Sequence, residues 1–418
     1  MKTTKHKFLP LILAMMLALS LAACGGGGDS GGSGNDSGSS TGASSTESSA
    51  EKPAKEEVPL VTSYHEVTPF TYYRTKTFNE GLGYVELDFK CGFVDAEGNE
   101  VIPLTFNTVV RFSEGLASVA DEDWNYGCID TTGTLVIPYK YEFIYDFSEG
   151  LACVEIRGDD GSLYGYIDKE GNEVIPPIYK YAYPFIEGLA AVENMEKKWA
   201  FIDKKGNEVI PFKYDSVSPF TTDGLAAATI EEKTGFIDRT GKEVIPMQYD
   251  SAWSFSEGTA CVTVGEQKGY IDKAGKEITE LKYDNAFPFT EDGLALVCID
   301  EKWGYIDKKG NEVIPLTFEN AGSFSNGHGL AYVTQGDKWG FINTKGEVVV
   351  ECKYEKAGHF NDGLAAVKQD GKWGFINIKG EEIVPLKYDF ADDYTPSFTD
   401  GFSAIMLDGN WGYLAADY

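Results

Sequence analysis

The histidines are the first side chains to consider for acid–base chemistry, and the chain has four of them. His6 lies in a basic N-terminal stretch, whereas His65, His328 and His359 are scattered through the rest of the chain. Neither His328 nor His359 stands beside a nucleophile motif, the chain has no P-loop, and the repeats contain no GxSxG elbow and no dinucleotide fingerprint. We therefore expect no catalytic residue and no cofactor-binding residue.

Carboxylates are abundant, with 66 Asp and Glu residues, and a glycosidase needs only two. Seven aspartates, however, recur at one position of an internal repeat, at Asp95, Asp130, Asp168, Asp203, Asp238, Asp272 and Asp307. Asn343 and Asn377 replace them in two copies, and asparagine suits a turn but not proton transfer. The acidic loops at 121–123 and 159–160 do not follow a calcium-loop pattern, so we expect solvated surface and no metal site.

Five tryptophans share another repeat position, where their rings could stack on a sugar: Trp199, Trp303, Trp339, Trp373 and Trp411. Other copies carry Cys91, Tyr126, Tyr164, Thr234 and Lys268 at this position. Because one copy accepts lysine, the position is not deep core in every repeat. Two interpretations remain open, namely a ligand-facing aromatic surface and cross-strand packing between repeats, and the sequence favours packing.

All these residues are positioned by the repeat itself. The glycine of Phe-Ser-Glu-Gly-Leu-Ala returns ten times between Gly81 and Gly401, with a mean period of about 36 residues. A second phrase follows it, as in Lys302-Trp303-Gly304, and a third closes the unit, as in 206–215 (GNEVIPFKYD). Each unit offers three runs rich in β-branched and aromatic residues, separated by glycine-containing turns. Glycine and proline recur too often for a helical repeat.

The three linked phrases resemble the WG-type (KWG) β-repeats of bacterial surface and effector proteins, over roughly residues 57–418. They predict an all-β tandem array of about ten three-stranded β-meanders of about 35 residues each. The array begins and ends in mid-unit, which suits a closed ring and an open stack equally. Because ten blades exceed the usual four to eight, we expect an open or superhelical stack, with one or more closed propeller-like rings as the alternative.

Comparison of the copies also predicts separate roles for the glycines. The turn glycine, as at Gly206, and the glycine before Leu-Ala are never replaced, so both are expected to need positive φ. The glycine of Trp-Gly gives way to Ala200 in one copy. That position therefore needs only a small residue, which we attribute to a neighbouring aromatic ring lying over the backbone. Prolines in the third runs predict strand ends or sheet edges.

The N-terminus resembles a lipoprotein signal peptide over residues 1–23, with a basic segment and an apolar stretch too short to span a bilayer comfortably. Leu21-Ala22-Ala23-Cys24 resembles a lipobox, which implies cleavage before Cys24 and lipid attachment to its sulfur. Residues 24–56 are then a lipidated cysteine followed by a disordered Gly/Ser-rich tether. The expected location is the extracytoplasmic face of the cell membrane.

The net charge and the spacing of the cysteines argue against several kinds of partner and site. The formal charge of −30 becomes −33 once the three lysines of the signal peptide are removed, which argues against nucleic acid and anionic lipid as partners of the folded part. Six further cysteines show no CxxC spacing and are expected to be small apolar core residues rather than zinc ligands or disulfides.

The sequence thus favours a membrane-anchored extracellular repeat protein that acts as a binding module for a protein or cell-envelope ligand, including glycans. One alternative is a cell-envelope hydrolase that uses acidic residues in a non-repeating loop. Another is a ligand-capturing lipoprotein that works with a transporter, although two α/β lobes are missing from the pattern.

Overall fold

A computed structural model of the chain describes residues 60–158, 161–324, 327–390 and 395–418. These residues form ten small antiparallel sheets, built mainly from strands that follow one another along the chain. The sheets are the blades of a closed, ten-bladed β-propeller, numbered here from the blade that begins at Arg74. Among the described residues, no helical segment reaches the length and apolarity that crossing a membrane would require.

Blades 1 to 5 have four strands each, in the order of the chain. Blade 1 comprises Arg74–Asn79, Leu82–Leu87, Lys90–Val94 and Glu100–Phe106. Blade 2 comprises Thr108–Ser113, Leu116–Ala120, Tyr126–Asp130 and Leu135–Tyr141. Blade 3 comprises Phe143–Ser148, Leu151–Gly158, Gly161–Asp168 and Glu173–Tyr179. Blade 4 comprises Tyr181–Ala182, Leu189–Glu193, Trp199–Asp203 and Glu208–Tyr214, and blade 5 comprises Ser216–Val217, Leu225–Ile230, Lys233–Asp238 and Glu243–Tyr249.

The remaining blades vary slightly on this plan. Blade 6 comprises Ser251–Ala252, Thr259–Val264 and Gln267–Asp272, and a bridge between Lys268 and Tyr283 marks the place of its fourth strand. Blade 7 comprises Asn285–Ala286, Leu294–Ile299, Lys302–Asp307 and Glu312–Phe318. Blade 8 comprises Leu330–Gln335, Lys338–Asn343 and Val348–Tyr354, with a bridge from Ala321 in place of the first strand. Blade 9 comprises Lys356–Asn361, Leu364–Gln369, Lys372–Asn377 and Glu382–Tyr388, and blade 10 comprises Phe402–Leu407, Asn410–Asp417 and Ser63–Glu66.

The ring is closed by a strand from the N-terminal part of the chain. Ser63–Glu66 pairs antiparallel with Asn410–Asp417 and so serves as the fourth strand of blade 10. On the other side of that blade, the Tyr413 hydroxyl donates to the carbonyl oxygen of Tyr84 in blade 1 at 2.6 Å. Our expectation of an open or superhelical stack is therefore wrong, and the alternative of one closed ring is correct. The usual range of four to eight blades led to the wrong choice between stack and ring. The repeat begins in mid-unit because Ser63–Glu66 completes the last blade.

A separate hydrophobic cluster fills the interface between every pair of neighbouring blades. Between blades 3 and 4, Tyr166 is buried with Phe185 and Val192. Between blades 10 and 1, the rings of Phe402 and Phe78 stack with their centroids 4.0 Å apart. The fold is thus stabilised by ten similar interfaces between neighbours rather than by one central core.

Most blades contain one strand more than the three-stranded meander that we predicted. The additional strand is the first of each blade, and it follows the fourth strand of the preceding blade after a single residue, as between Tyr179 and Tyr181. In blade 4 it is only two residues long, Tyr181–Ala182. Because the β-forming residues continue across the junction, the sequence shows one run where the structure divides it between two blades.

The turns between third and fourth strands confirm the predicted role of their aspartates. In blade 4, Asp203 Oδ1 accepts hydrogen bonds from the backbone N–H groups of Lys205 and Asn207, both at 2.9 Å. Gly206 in this turn has a φ of 79°, in the left-handed region. Asn343 accepts the equivalent pair of hydrogen bonds in blade 8. The glycines before Leu-Ala also have positive φ in all ten copies, as predicted.

The position of the Trp-Gly glycine requires a small residue for a reason that differs from our expectation. A Cβ atom on Gly235 would lie 2.4 Å from the carbonyl oxygen of Ile245, in the adjacent fourth strand. The pairing register shifts at this point, which brings the two backbones close together. An aromatic ring, that of Phe70, occupies the equivalent place beside Gly412. The prediction of an aromatic ring over this glycine is therefore wrong for most copies, where the backbone of the fourth strand lies against it.

Several further predictions are confirmed. The prolines of the fourth strands are exposed on sheet edges, at Pro103, Pro138, Pro176, Pro211, Pro246, Pro315 and Pro385. The cysteines beyond the N-terminal segment are free thiols and are mostly buried, at Cys91, Cys128, Cys153, Cys261, Cys298 and Cys352.

Candidate ligand-binding site

The two ends of the ring have different chemistry because each blade is an antiparallel meander. One end carries the turns between first and second strands and those between third and fourth strands. We call it the hairpin end. The opposite end carries the turns between second and third strands and the junctions that lead into the next blade. We call it the aromatic end.

At the hairpin end, carboxylates of one blade hold the turn of the next. Glu114 of blade 2 accepts a hydrogen bond from the Gly150 N–H of blade 3 at 3.0 Å, and Lys169 of blade 3 pairs with the same carboxylate. The next interfaces have equivalent ion pairs, Lys204–Glu149, Arg239–Glu187, Lys273–Asp223 and Lys308–Glu257. Blade packing therefore explains these acidic side chains without any ligand.

At the aromatic end, large apolar side chains project from the turns and junctions. Phe89 in blade 1 and Trp124 in blade 2 lie in turns between second and third strands and are 80% and 63% exposed. Tyr181 in blade 4 and Trp253 in blade 6 lie at or beside junctions and are also exposed. Exposed aromatic side chains grouped on one end of a molecule are typical of an interaction surface.

Within this end, seven rings form a continuous line across blades 2, 3 and 4, which we call the aromatic seam: Tyr126, Phe143, Tyr145, Tyr164, Tyr181, Tyr183 and Trp199. Successive ring centroids lie 4.7 to 6.3 Å apart. The rings cross two blade interfaces, since Tyr126 of blade 2 touches Phe143 of blade 3, and Tyr164 of blade 3 touches Tyr181 of blade 4. All seven are partly exposed, and five of them also pack against the hydrophobic clusters between blades, so the seam lies at the boundary between core and surface.

The seam contains the same cross-strand arrangement in two successive blades. In blade 3, Phe143, Glu155 and Tyr164 lie directly opposite one another on the first, second and third strands. In blade 4, Tyr181, Glu193 and Trp199 occupy the same places. Directly paired residues point to the same side of a sheet, so each row places a carboxylate between two rings. We call these two sets the ring–carboxylate–ring rows.

Other blades carry different residues in this row. It reads Ser216, Thr229, Thr234 in blade 5 and Ser251, Thr263, Lys268 in blade 6. It reads Arg74, Glu86, Cys91 in blade 1 and Lys356, Lys368, Trp373 in blade 9. The row of blades 3 and 4 is therefore not a requirement of the fold.

The polar surroundings of the seam are mainly acidic. Burial, followed by the charge of Glu155, raises the pKa of Tyr164, and burial, followed by Tyr181 and Glu193, raises the pKa of Tyr183. These hydroxyls therefore remain protonated at neutral pH. Within the described ranges, neither Glu155 nor Glu193 forms an ion pair with lysine or arginine.

The five tryptophans that the sequence singled out lie in different environments. Trp199 is the last ring of the seam. Trp303 lines an open groove of about 520 Å³ in blade 7, and Trp339 packs on Tyr332. Trp411 packs against Phe390, whereas Trp373 is fully buried beneath two lysines. The structure therefore brings only Trp199 into the seam.

The remaining candidate residues are spread through the molecule. His65 lies in the closing strand, 2.9 Å from Asp417, while His328 lies in a turn of blade 8 and His359 packs on Tyr332. In the part of the chain that the structure describes, no group of three or more His, Cys, Asp or Glu residues is arranged to hold a metal. Cys24, the predicted lipid attachment site, lies outside the described residues.

Sequence reasoning missed most of the seam. It noted Tyr126 and Tyr164 as substitutes for tryptophan but passed over Phe143 and Tyr181, because the short first strand was not recognised. The available signal was the residue that follows each blade junction, where aromatic rings in blades 3 and 4 contrast with Ser216 in blade 5.

Together, the closed ring and the seam define a ten-bladed β-propeller with an aromatic surface that departs from the repeat in blades 3 and 4. The model of the WG containing repeat matches residues 92–122, 126–158, 164–199, 199–233, 235–267, 269–303, 303–339, 339–373 and 373–411. The chain belongs to this WG-repeat family.

Solved structures of low sequence identity show partial likeness to the ring. A crystal structure titled as the eukaryotic initiation factor is 12% identical, with a TM-score of 0.47 over 78% of this chain and 96% of that one. BamB from Moraxella catarrhalis is also 12% identical, with a TM-score of 0.34 over 75% of this chain and 96% of its own. No curated protein matches the chain.

Proposed function

We propose that the chain is a non-enzymatic interaction module that binds a protein or cell-envelope ligand through the aromatic seam. The observation that carries this proposal is that the seam breaks the repeat. Residues that the fold needs recur in blade after blade, whereas the ring–carboxylate–ring combination of blades 3 and 4 is not repeated in the rows of blades 1, 5, 6 and 9. Partly exposed tyrosine and tryptophan rings are also the side chains most enriched at binding hot spots.

We also propose that the chain has no catalytic activity. The recurring turn aspartates are hydrogen-bonded within their turns, as Asp203 is, and the acidic side chains of the hairpin end join neighbouring blades. These roles account for many carboxylates that might otherwise suggest a hydrolase. The strongly acidic composition supports a protein or glycan ligand rather than nucleic acid.

We further propose that the propeller is held at the extracytoplasmic face of the membrane by a lipid on Cys24. The lipobox-like Leu21-Ala22-Ala23-Cys24 and the Gly/Ser-rich segment after it support this location. A Cys24→Ser variant is expected to move from the membrane fraction to the soluble fraction on cell fractionation. Retention of this variant in membranes as complete as that of the unmodified chain would contradict the anchor.

A pair of matched variants tests the proposed site. Tyr181 and Trp253 are both exposed aromatic residues at the aromatic end, 40% and 46% exposed, but only Tyr181 belongs to the seam. The chain from residue 57, which contains every strand of the ring, is immobilised and presented with purified envelope proteins and glycans. Ligands retained by the unmodified chain and by Trp253→Ala, but lost by Tyr181→Ala, would support the seam. Equal retention by all three would contradict it.

A further inference from the structure

We propose that the two ring–carboxylate–ring rows hold basic side chains, Lys or Arg, of a polypeptide ligand. This inference rests on the proposed function and names the chemistry that the seam recognises. Each row offers one carboxylate, Glu155 or Glu193, between two aromatic rings on the same side of a sheet. A cation placed there meets ring faces and an anionic acceptor together.

The molecule itself shows that this row accepts an ammonium group. In blade 9, the Nζ atoms of Lys356 and Lys368 lie 6.0 and 5.9 Å from the ring centroid of Trp373, which occupies the third place of the row. Their side chains cover the ring, and Trp373 is the tryptophan that is fully buried. Blade 9 therefore supplies its own cations, whereas blades 3 and 4 carry a carboxylate and no cation in the row.

Two of the nearby basic residues are already engaged elsewhere. Arg157 pairs with Glu142 at 2.8 Å, and Lys198 pairs with Asp215. Across the described residues, neither Glu155 nor Glu193 is neutralised by an ion pair. The overall charge of −30 adds a long-range attraction for cationic ligands and opposes acidic ones. Charge complementarity thus favours a basic peptide segment over a neutral glycan.

The two rows lie in adjacent blades and are joined by contact between Tyr164 and Tyr181, whose ring centroids are 5.4 Å apart. A single extended segment with two basic side chains would therefore engage both rows at once. The second and third strands of blade 3 are each eight residues long, so their hairpin extends past the rows at the aromatic end.

The test uses the full chain in detergent and three probes: a short lysine–alanine oligopeptide, a glutamine–alanine oligopeptide of the same length, and a neutral chitin-type hexasaccharide. Titration calorimetry compares the unmodified chain with the double variant Glu155→Gln/Glu193→Gln. The matched control is Glu86→Gln, which removes one carboxylate from the same repeat position in blade 1, where Arg74 and Cys91 flank it. Thermal unfolding of every variant checks that the propeller is intact.

We expect the lysine peptide to bind the unmodified chain and Glu86→Gln alike, and to bind the double variant about tenfold more weakly. The glutamine peptide should bind at least tenfold more weakly than the lysine peptide. Tyr181→Ala provides a second variant, since this exposed side chain is not needed for the core. Loss of the Tyr181 ring should also weaken binding of the lysine peptide several-fold.

Other outcomes overturn the inference in distinguishable ways. Equal weakening by Glu86→Gln and by the seam variants would show that the peptide responds only to overall charge. Binding of the hexasaccharide but not the lysine peptide, lost in Tyr181→Ala, would reject basic side chains and leave the proposed function standing. Binding of every probe unchanged by all seam variants, or no binding of any probe, would overturn the inference, and the envelope-ligand comparison above would then decide the proposed function.

Discussion

At the scale of single residues, the glycine beside each tryptophan marks where two strand backbones come closest. Blade 4 carries Ala200 there and remains in the same register as its neighbours. In blade 5, a Cβ on Gly235 would meet the carbonyl oxygens of Ile245 and Pro246 at 2.4 and 2.6 Å. The fold therefore accommodates one methyl group at this position in blade 4, although the same group on Gly235 would overlap the facing strand.

This contact predicts unequal effects for reciprocal substitutions. Gly235→Ala should reduce the free energy of unfolding by about 1–3 kcal/mol, because the added methyl group forces the fourth strand away. Ala200→Gly should cost about 0.5–1 kcal/mol, the usual effect of glycine within a strand. Urea unfolding of the two variants checks this difference. A loss from Ala200→Gly as large as that from Gly235→Ala would mean that backbone proximity does not determine the residue.

The turn aspartates predict a response to acid. Hydrogen bonds from the asparagine side chain and backbone four residues later lower the pKa of Asp95, Asp203 and Asp307 below the usual value of 3.8. Unfolding raises each pKa again, so the charged turns stabilise the fold above about pH 3.8 and lose this effect as the pH falls further. Replacing all three with asparagine should keep the turns, as Asn343 does, but remove the pH-dependent part.

Thermal unfolding at several pH values measures this effect. The melting temperature of the unmodified chain should exceed that of the triple variant at pH 7, and the two should converge below pH 3.8. A difference that stays constant across this range would show that the carboxylate charges do not contribute to the turns.

At the scale of strands, the closing strand is the element on which the ring depends. Residues 63–66 pair with 414–417 and complete blade 10. Deleting the chain up to residue 66 should expose the edge of blade 10 and lower the melting temperature by several degrees. A Ser63→Cys/Asp417→Cys pair should form a disulfide on mild oxidation, since these residues are direct partners in the register. Failure of the pair to cross-link within one chain would contradict closure.

The strand scale also shows what the sequence can and cannot predict. Repetition of three phrases predicted the second, third and fourth strands, their turns and the positive φ of residues such as Gly206. It did not reveal first strands as short as Ser216–Val217, because two residues carry no periodic signal. The sequence did not predict that the ring is closed. The pairing of Ser63 with Asp417 joins residues that are far apart in the chain, and a local pattern contains no information on that contact.

At the scale of the whole molecule, the ring separates two kinds of chemistry. At the hairpin end, ion pairs such as Lys204–Glu149 link neighbouring blades. The aromatic end carries the seam, whose rings come from first and third strands of neighbouring blades and from Tyr183, which follows a first strand. The sequence could not predict this grouping, since Tyr164 and Tyr181 meet only when blades 3 and 4 are placed side by side. The central claim is that this one surface binds the ligand.

A row exchange tests that claim most directly. Blade 5 supplies residues that the fold already accepts in the row, so the variant Tyr181→Ser/Glu193→Thr/Trp199→Thr gives blade 4 the row of blade 5. Binding of the envelope ligand is measured beside thermal unfolding. We predict that the variant melts within a few degrees of the unmodified chain and loses at least tenfold in affinity. A folded variant that binds the ligand with unchanged affinity would contradict the claim.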